Sequence, residues 1–187
     1  MERVQGNGPL IECVNPYIQK YIIRWDVRQF VRKIRITRNK EIEITGTDYF
    51  EEWINHKPSI EEVKEIVLAG MNKIIDKEIR EDFIWKEMPI WLSTENQFNY
   101  KAAYDLAVQT NGASLPMTFK FGDANNPIYY QFVSVEDLAD FYVKATSYIN
   151  TKLAEGWKKK DGIDWSEYEK LLDVEIVEDD AETEVEN

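Results

Sequence analysis

Ile34-Arg35-Ile36-Thr37-Arg38-Asn39-Lys40-Glu41-Ile42-Glu43-Ile44 alternates apolar and polar residues on both sides of a short polar turn. Period-two alternation marks a strand with one face on apolar surroundings and the other in water. A three-residue loop, Arg38-Asn39-Lys40, predicts Ile36 opposite Ile42 and Ile34 opposite Ile44. It also predicts Arg35 opposite Glu43 on the other face, a favourable charge pair. The expectation is a half-covered antiparallel hairpin. The preceding run, Tyr21-Ile22-Ile23-Arg24-Trp25-Asp26-Val27, is β-branched and aromatic and reads as a strand. Residues 1–16, punctuated by Gly6, Gly8, Pro9 and Pro16, read as an irregular lead-in.

Further along, Met117–Phe121 and Pro127–Phe132 flank the turn residues Gly122-Asp123-Ala124-Asn125-Asn126 and predict a second hairpin. Phe119 and Phe121 on one strand, and Ile128, Tyr130 and Phe132 on the other, follow the pleat. Phe83–Ser93 reads as two short strands about a tight turn, with Trp85 and Trp91 as large anchors.

Three main helices carry start signals. Ser59 with Glu62 forms a capping box for a helix whose apolar positions run from Ile60 to Ile75, with Gly70 interrupting it. Thr94 with Gln97 opens a second helix to Gln109, stopping before Gly112. Ser134 with Asp137 opens a third, striped by Leu138, Phe141, Tyr142, Ala145, Ile149 and Leu153 and ended by Gly156. Asp164 or Ser166 caps a short fourth helix through Leu172.

Strands that pair as hairpins among helices predict an α+β fold with antiparallel sheets, not a doubly wound parallel one. The expected division is 1–56, an irregular segment and hairpin region, then 57–172, an α+β domain, then 173–187, a disordered acidic tail; a softer boundary lies near Arg80.

The 187 residues suffice for a core without disulfides or metals. The net charge of −12 is uneven: Leu172 to Asn187 holds eight acids and no base, whereas Lys20 to Lys40 holds eight Lys or Arg and only Asp26 as an acid. No signal-peptide core or membrane-length apolar run is present, so the expectation is no membrane and the cytoplasm of the host cell, with incorporation into a particle as the alternative.

Candidates for chemistry are few. Cys13 is the lone cysteine and His56 the lone histidine, so neither a thiolate cage, a zinc set nor a histidine-based triad is spelled out. No phosphate-loop or dinucleotide motif occurs. The carboxylate pairs Glu51-Glu52, Glu61-Glu62 and Glu136-Asp137 sit at or near helix starts, where the helix dipole accounts for them. The expectation is no enzyme, no cofactor and no metal.

Arg24, Arg28, Arg32, Lys33, Arg35 and Arg38, with Trp25 and Phe30 between them, can be read three ways. They can follow a nucleic-acid backbone, form a solvated face paired with Glu41 and Glu43, or receive an acidic segment from this chain or a partner. The aromatic content points toward protein contacts, since Trp, Tyr and Arg anchor interfaces. Trp85, Trp91, Trp157 and Trp165 are the expected contact residues.

Three strings, Trp91–Asp105, Leu115–Gly122 and Leu153–Asp161, resemble an uncharacterised phage and prophage domain family of gut Bacteroidales. That family is distantly similar to the C-terminal part of tail-fibre assembly proteins. The resemblance covers about residues 57–170 and implies a phage tail-associated, non-enzymatic protein. It would be a tail-fibre assembly chaperone or structural adaptor, with a tail or fibre protein as partner and homo-oligomerisation as an alternative.

Overall fold

The computed structural model describes residues 2–37, 40–123 and 125–173. The fold is α+β with antiparallel hairpins. In order the elements are β1 (Val4–Gln5), β2 (Ile11–Asn15), β3 (Lys20–Thr37), β4 (Lys40–Ile54), α1 (Ile60–Glu81), β5 (Phe83–Trp85), β6 (Met88–Ile90), α2 (Thr94–Gln109), β7 (Met117–Gly122), β8 (Pro127–Phe132), α3 (Val135–Asp161) and α4 (Trp165–Leu172). Among the described residues no helix is long and apolar enough to cross a membrane.

The chain forms two compact units, residues 1–70 with 163–187, and residues 71–162. These limits differ from the division expected at residues 56 and 173. One continuous helix, α1, spans the point where the units part, and Gly70 does not break it. Gly70 is there because Trp25 lies on it: a Cβ would meet the indole, with Cε2 at 2.6 Å.

The first unit is a four-stranded antiparallel sheet in the order β1-β4-β3-β2. The segment expected to be an irregular lead-in supplies both edge strands. β2 pairs Ile11 with Ile23 and Cys13 with Tyr21, and β1 pairs Val4 with Tyr49. Alternation fails to mark the first part of β3 because residues 21–25 are buried on both faces. Val63 and Val67 of α1 are fully buried, and Tyr168 of α4 donates its hydroxyl to the Arg24 carbonyl at 2.8 Å.

The second unit surrounds an aromatic core. Trp85 stacks on Phe132 at 5.5 Å and meets Phe141 edge-on at 5.1 Å; Tyr100 meets Phe141 at 4.9 Å. Each such pair adds about 0.5–1.5 kcal/mol beyond the area it buries. The β7–β8 hairpin has the expected faces, with Phe119 opposite Tyr130 and Phe121 opposite Ile128.

Helix starts match the sequence signals with two adjustments. Ser93, not Thr94, caps α2, accepting from the Asn96 N–H at 3.3 Å, while the Gln97 amide donates to the Leu92 carbonyl at 2.8 Å. Ser59 accepts from the Glu62 N–H at 3.2 Å, but the Glu62 carboxylate turns to His56 Nε2 at 2.8 Å instead of closing the box. Gly156 does not end α3, which continues to Asp161 and is capped by Gly162. Gly156 is buried against Ile75 of α1, close enough that a side chain would collide with it.

Candidate protein-interaction arm

β3 and β4 pair from the body of the sheet out to Thr37 opposite Lys40, but only the first part of β3 and the last part of β4 have further neighbours. β2 accompanies β3 through Ile23, and β1 accompanies β4 at Asp48 and Tyr49. From Val27 onward no further strand lies beside the two, although Gly6 still donates its N–H to the Thr47 carbonyl at 3.1 Å, and β3 is exposed from that residue except at half-buried Phe30.

The change occurs at a β-bulge. Trp25 faces Phe50 and Arg28 faces Asp48, so Asp26 and Val27 together oppose Tyr49. Asp26 adopts a left-handed φ of 51°, which aspartate tolerates better than most residues. A bulge bends and twists a ribbon, re-aiming the strands beyond it. Arg3 fixes this one. Its Nη1 lies 2.7 Å from Asp26 Oδ2, its Nη2 donates to the Asp48 carbonyl at 3.0 Å, its Nε pairs with the Asp48 carboxylate, and its guanidinium lies 4.6 Å over the Phe50 ring.

Beyond the bulge the register differs from the expected one. Ile34 faces Ile42, Arg35 faces Glu41, Lys33 faces Glu43 and Arg32 faces Ile44. Thr37 faces Lys40, so two residues rather than three join the strands, and a second bulge at Ile36 takes up the difference. A shift of two positions leaves every side chain on its original face, so the hydrophobic pattern cannot distinguish the two registers.

One face of the arm carries Phe30, Arg32, Ile34, Ile42 and Ile44, with the Phe30 ring folded over Gly46. This apolar face is not half-covered as expected: Ile34 is 39% and Ile44 41% exposed, and Ile36 is 55% exposed. The opposite face is charged and internally paired, with Lys33 to Glu43 at 3.4 Å and Arg35 to Glu41 at 3.2 Å.

The bases expected to form one cationic track do different jobs. Arg24 is buried, pairs with Glu12 at 2.6 Å and donates to the Pro9 carbonyl at 2.8 Å. Arg28 pairs with Asp26 at 2.6 Å. Arg32 lies 5.8 Å from the Phe30 ring and alone of the five has no carboxylate partner among the described residues. Arg38 lies outside the described residues, as does the acidic segment from 174 to 187.

The expected contact tryptophans also divide. Trp85 is not a surface residue: it is 2% exposed, holds the second unit's core together and donates Nε1 to Asp140 at 3.0 Å. Trp91 and Trp157 are exposed, and Trp165 is half-buried with Lys64 Nζ 5.9 Å from its ring. Trp91 lies under the Arg80 guanidinium at 5.3 Å and lines a groove of about 560 Å³ with Glu81, Ile90, Lys120, Phe121 and Asp123. In that groove the Asn126 side-chain amide, and then the Asn125 and Asn126 N–H groups at 2.7 and 2.9 Å, donate to Asp123 and hold its carboxyl below the usual range.

Three of the other acids considered for chemistry, Glu51, Glu62 and Asp137, are engaged. Glu51 accepts from Trp53 Nε1 at 3.0 Å, and Asp137 takes Lys86 Nζ at 2.6 Å and the Tyr130 hydroxyl at 2.7 Å. The bond to Asp137 is the main reason the Lys86 ammonium is held above its ordinary range. Among the described residues no cluster of His, Cys, Asp and Glu is arranged to hold a metal.

Sequence reasoning missed three features. The Arg3 clasp joins residues far apart in the chain, and the free edges of the arm show only once β1 and β2 are seen to be short. The third is an exposed apolar group at the β2–β3 turn, Tyr17 and Ile18. No known family model matches the chain, no curated protein matches it, and no solved structure resembles it.

Proposed function

We propose that this is a non-enzymatic binding protein that grips another protein through the β3–β4 arm. The observation that carries the reading is a ribbon, leaving the sheet at the Asp26 bulge, whose apolar face is uncovered and both of whose edges lack neighbouring strands among the described residues. A two-stranded ribbon alone in water is marginal, and uncovered edges and isoleucines are what strand-adding partners engage. The resemblance of the 57–170 region supplies the partner class, a phage tail or fibre protein, with this chain as assembly chaperone or tail adaptor. The test is co-purification with co-expressed tail and fibre proteins, comparing the native chain with Ile34→Asp/Ile44→Asp. Capture by the native chain and loss in the variant support the reading; equal capture by both removes the arm from it.

A nucleic-acid reading has the arm's bases behind it: Val27 to Gly46 holds six Lys or Arg against two acids. It is the weaker reading because Lys33 and Arg35 are already paired with glutamates and Arg24 is buried. Oligonucleotide binding that weakens steeply with salt would favour it. Unchanged oligonucleotide mobility at about 50 mM salt would dismiss it, because phosphate binding is strongest when few ions compete.

A further inference from the structure

Helix α4 delivers the chain's acidic segment to the sheet from which the arm projects. The Tyr168 hydroxyl bonds the Arg24 carbonyl, two residues before the bulge, at 2.8 Å. Leu171 and Leu172 then lie in a hollow with Pro9, Ile11, Cys13 and Tyr21. Leu172 therefore lies beside β2, the strand that pairs with β3 as far as Ile23, just short of the bulge where the arm begins.

The next segment, Val174-Glu175-Ile176-Val177-Glu178-Asp179-Asp180 and on to Asn187, holds seven acids and no base. Its second half alternates Ala181, Thr183 and Val185 with Glu182, Glu184 and Glu186. The arm offers the complement. It has an apolar face of Phe30, Ile34, Ile42 and Ile44, and a β3 edge free of neighbours beyond Arg24 among the described residues. In the middle of that face sits Arg32, which has no carboxylate partner among the described residues. A second copy of the arm is a poorer occupant, because both arms carry the same excess of bases.

The reach is sufficient. Fourteen residues extend to about 46–50 Å at most. The strand from Tyr21 to Arg32 covers about 37 Å at about 3.4 Å per residue.

We infer that the 174–187 segment of the same chain docks along the free β3 edge of the β3–β4 arm, with the carboxylates of its second half on Arg28 and Arg32. The inference rests on the reading of the arm as a docking surface. It makes the acidic segment an internal occupant that an incoming partner strand displaces.

The experiment needs no partner, so its outcome is separate from that of the capture test above. Backbone amide spectra and hydrogen exchange are recorded for the full chain and for a chain ending at Asp173. On truncation, amides from Arg28 to Arg35 and from Glu41 to Thr45 shift, and their exchange accelerates about tenfold or more. Raising salt to about 0.5 M mimics the truncation, because the exposed pairs are screened. Glu182→Gln/Glu184→Gln/Glu186→Gln in the full chain does the same in part. A synthetic 174–187 peptide added to the truncated chain restores the original spectrum.

Arm amides that ignore truncation overturn the inference, whether or not the truncated chain captures a partner. So does a response that vanishes on dilution together with a dimer, which would place the segment on a second copy. If the truncated chain captures a tail protein more tightly than the full chain, displacement is supported directly.

Discussion

Arg3 is bonded to Asp26 across 23 positions of sequence, its Nη1 2.7 Å from the carboxylate, and through this contact the start of the chain holds the bulge from which the arm departs. Both side chains are about four-fifths buried. Arg3→Ala therefore leaves Asp26 and Asp48 with lost donors in a partly dry site, at a cost of about 1–3 kcal/mol. Urea unfolding measures the loss, and amide exchange around Asp26 and Asp48 locates it. Arg3→Lys recovers only part, because an ammonium cannot reproduce the fork that reaches Asp26 and Asp48 together. A variant as stable as the native chain would mean the clasp is ornamental.

Ile34→Asp and Ile44→Asp change exposed positions and shift unfolding by no more than about 0.5–1 kcal/mol. Trp85→Ala removes the centre of an aromatic core and costs about 3–5 kcal/mol. Thermal or urea melts of the three variants give the comparison. A loss beyond about 2 kcal/mol for the arm variants would show that the face is part of a core after all.

Gly70→Ala sets two effects against each other. Alanine inside a helix gains about 0.8–1 kcal/mol of propensity over glycine. Its methyl group would collide with the rigid, buried Trp25 indole, and overpacking costs about 1–3 kcal/mol. The collision is expected to win, lowering stability by about 1 kcal/mol, read from the urea midpoint. A stabilised variant would show that the indole can retreat.

Tyr100 makes the protein sensitive to alkali. Burial pushes its phenol from the ordinary 10.0 up to about 12. The folded state then holds a proton that the unfolded state has released, so stability is intact below pH 10 and declines as pH rises toward 12. Two pH units correspond to about 2–3 kcal/mol, fully lost above the folded value. Burial raises the Tyr168 phenol in the same direction. Denaturant titrations between about pH 9 and 12 should show the slope, and Tyr100→Phe should flatten it. An equal slope in both proteins would assign it elsewhere.

Much of the scaffold is legible in the chain. Ser59, Ser134 and Asp164 do what their side chains allow at helix starts, and the Phe119–Phe132 hairpin obeys its own alternation. Errors arise where local rules meet distant residues. Gly156 reads as a stop signal, but its lack of a side chain serves Ile75, a residue of another helix. Trp85 reads as surface because interface tryptophans and core tryptophans look alike in sequence; its partners Phe132 and Phe141 are far along the chain. The arm's isoleucines have the pattern of a covered face, and no local signal reports that the cover is missing.

The arm is also a ruler. Its pleat repeats every two residues, so removing a matched pair from each strand, Lys33-Ile34 with Ile42-Glu43, would shorten it by about 7 Å without turning any remaining side chain to the other face. Adding a matched pair would lengthen it by the same step. The spacing between this protein and whatever it holds is thus adjustable in discrete increments, with the clasp at its base and the Thr37–Lys40 pair near its tip left alone.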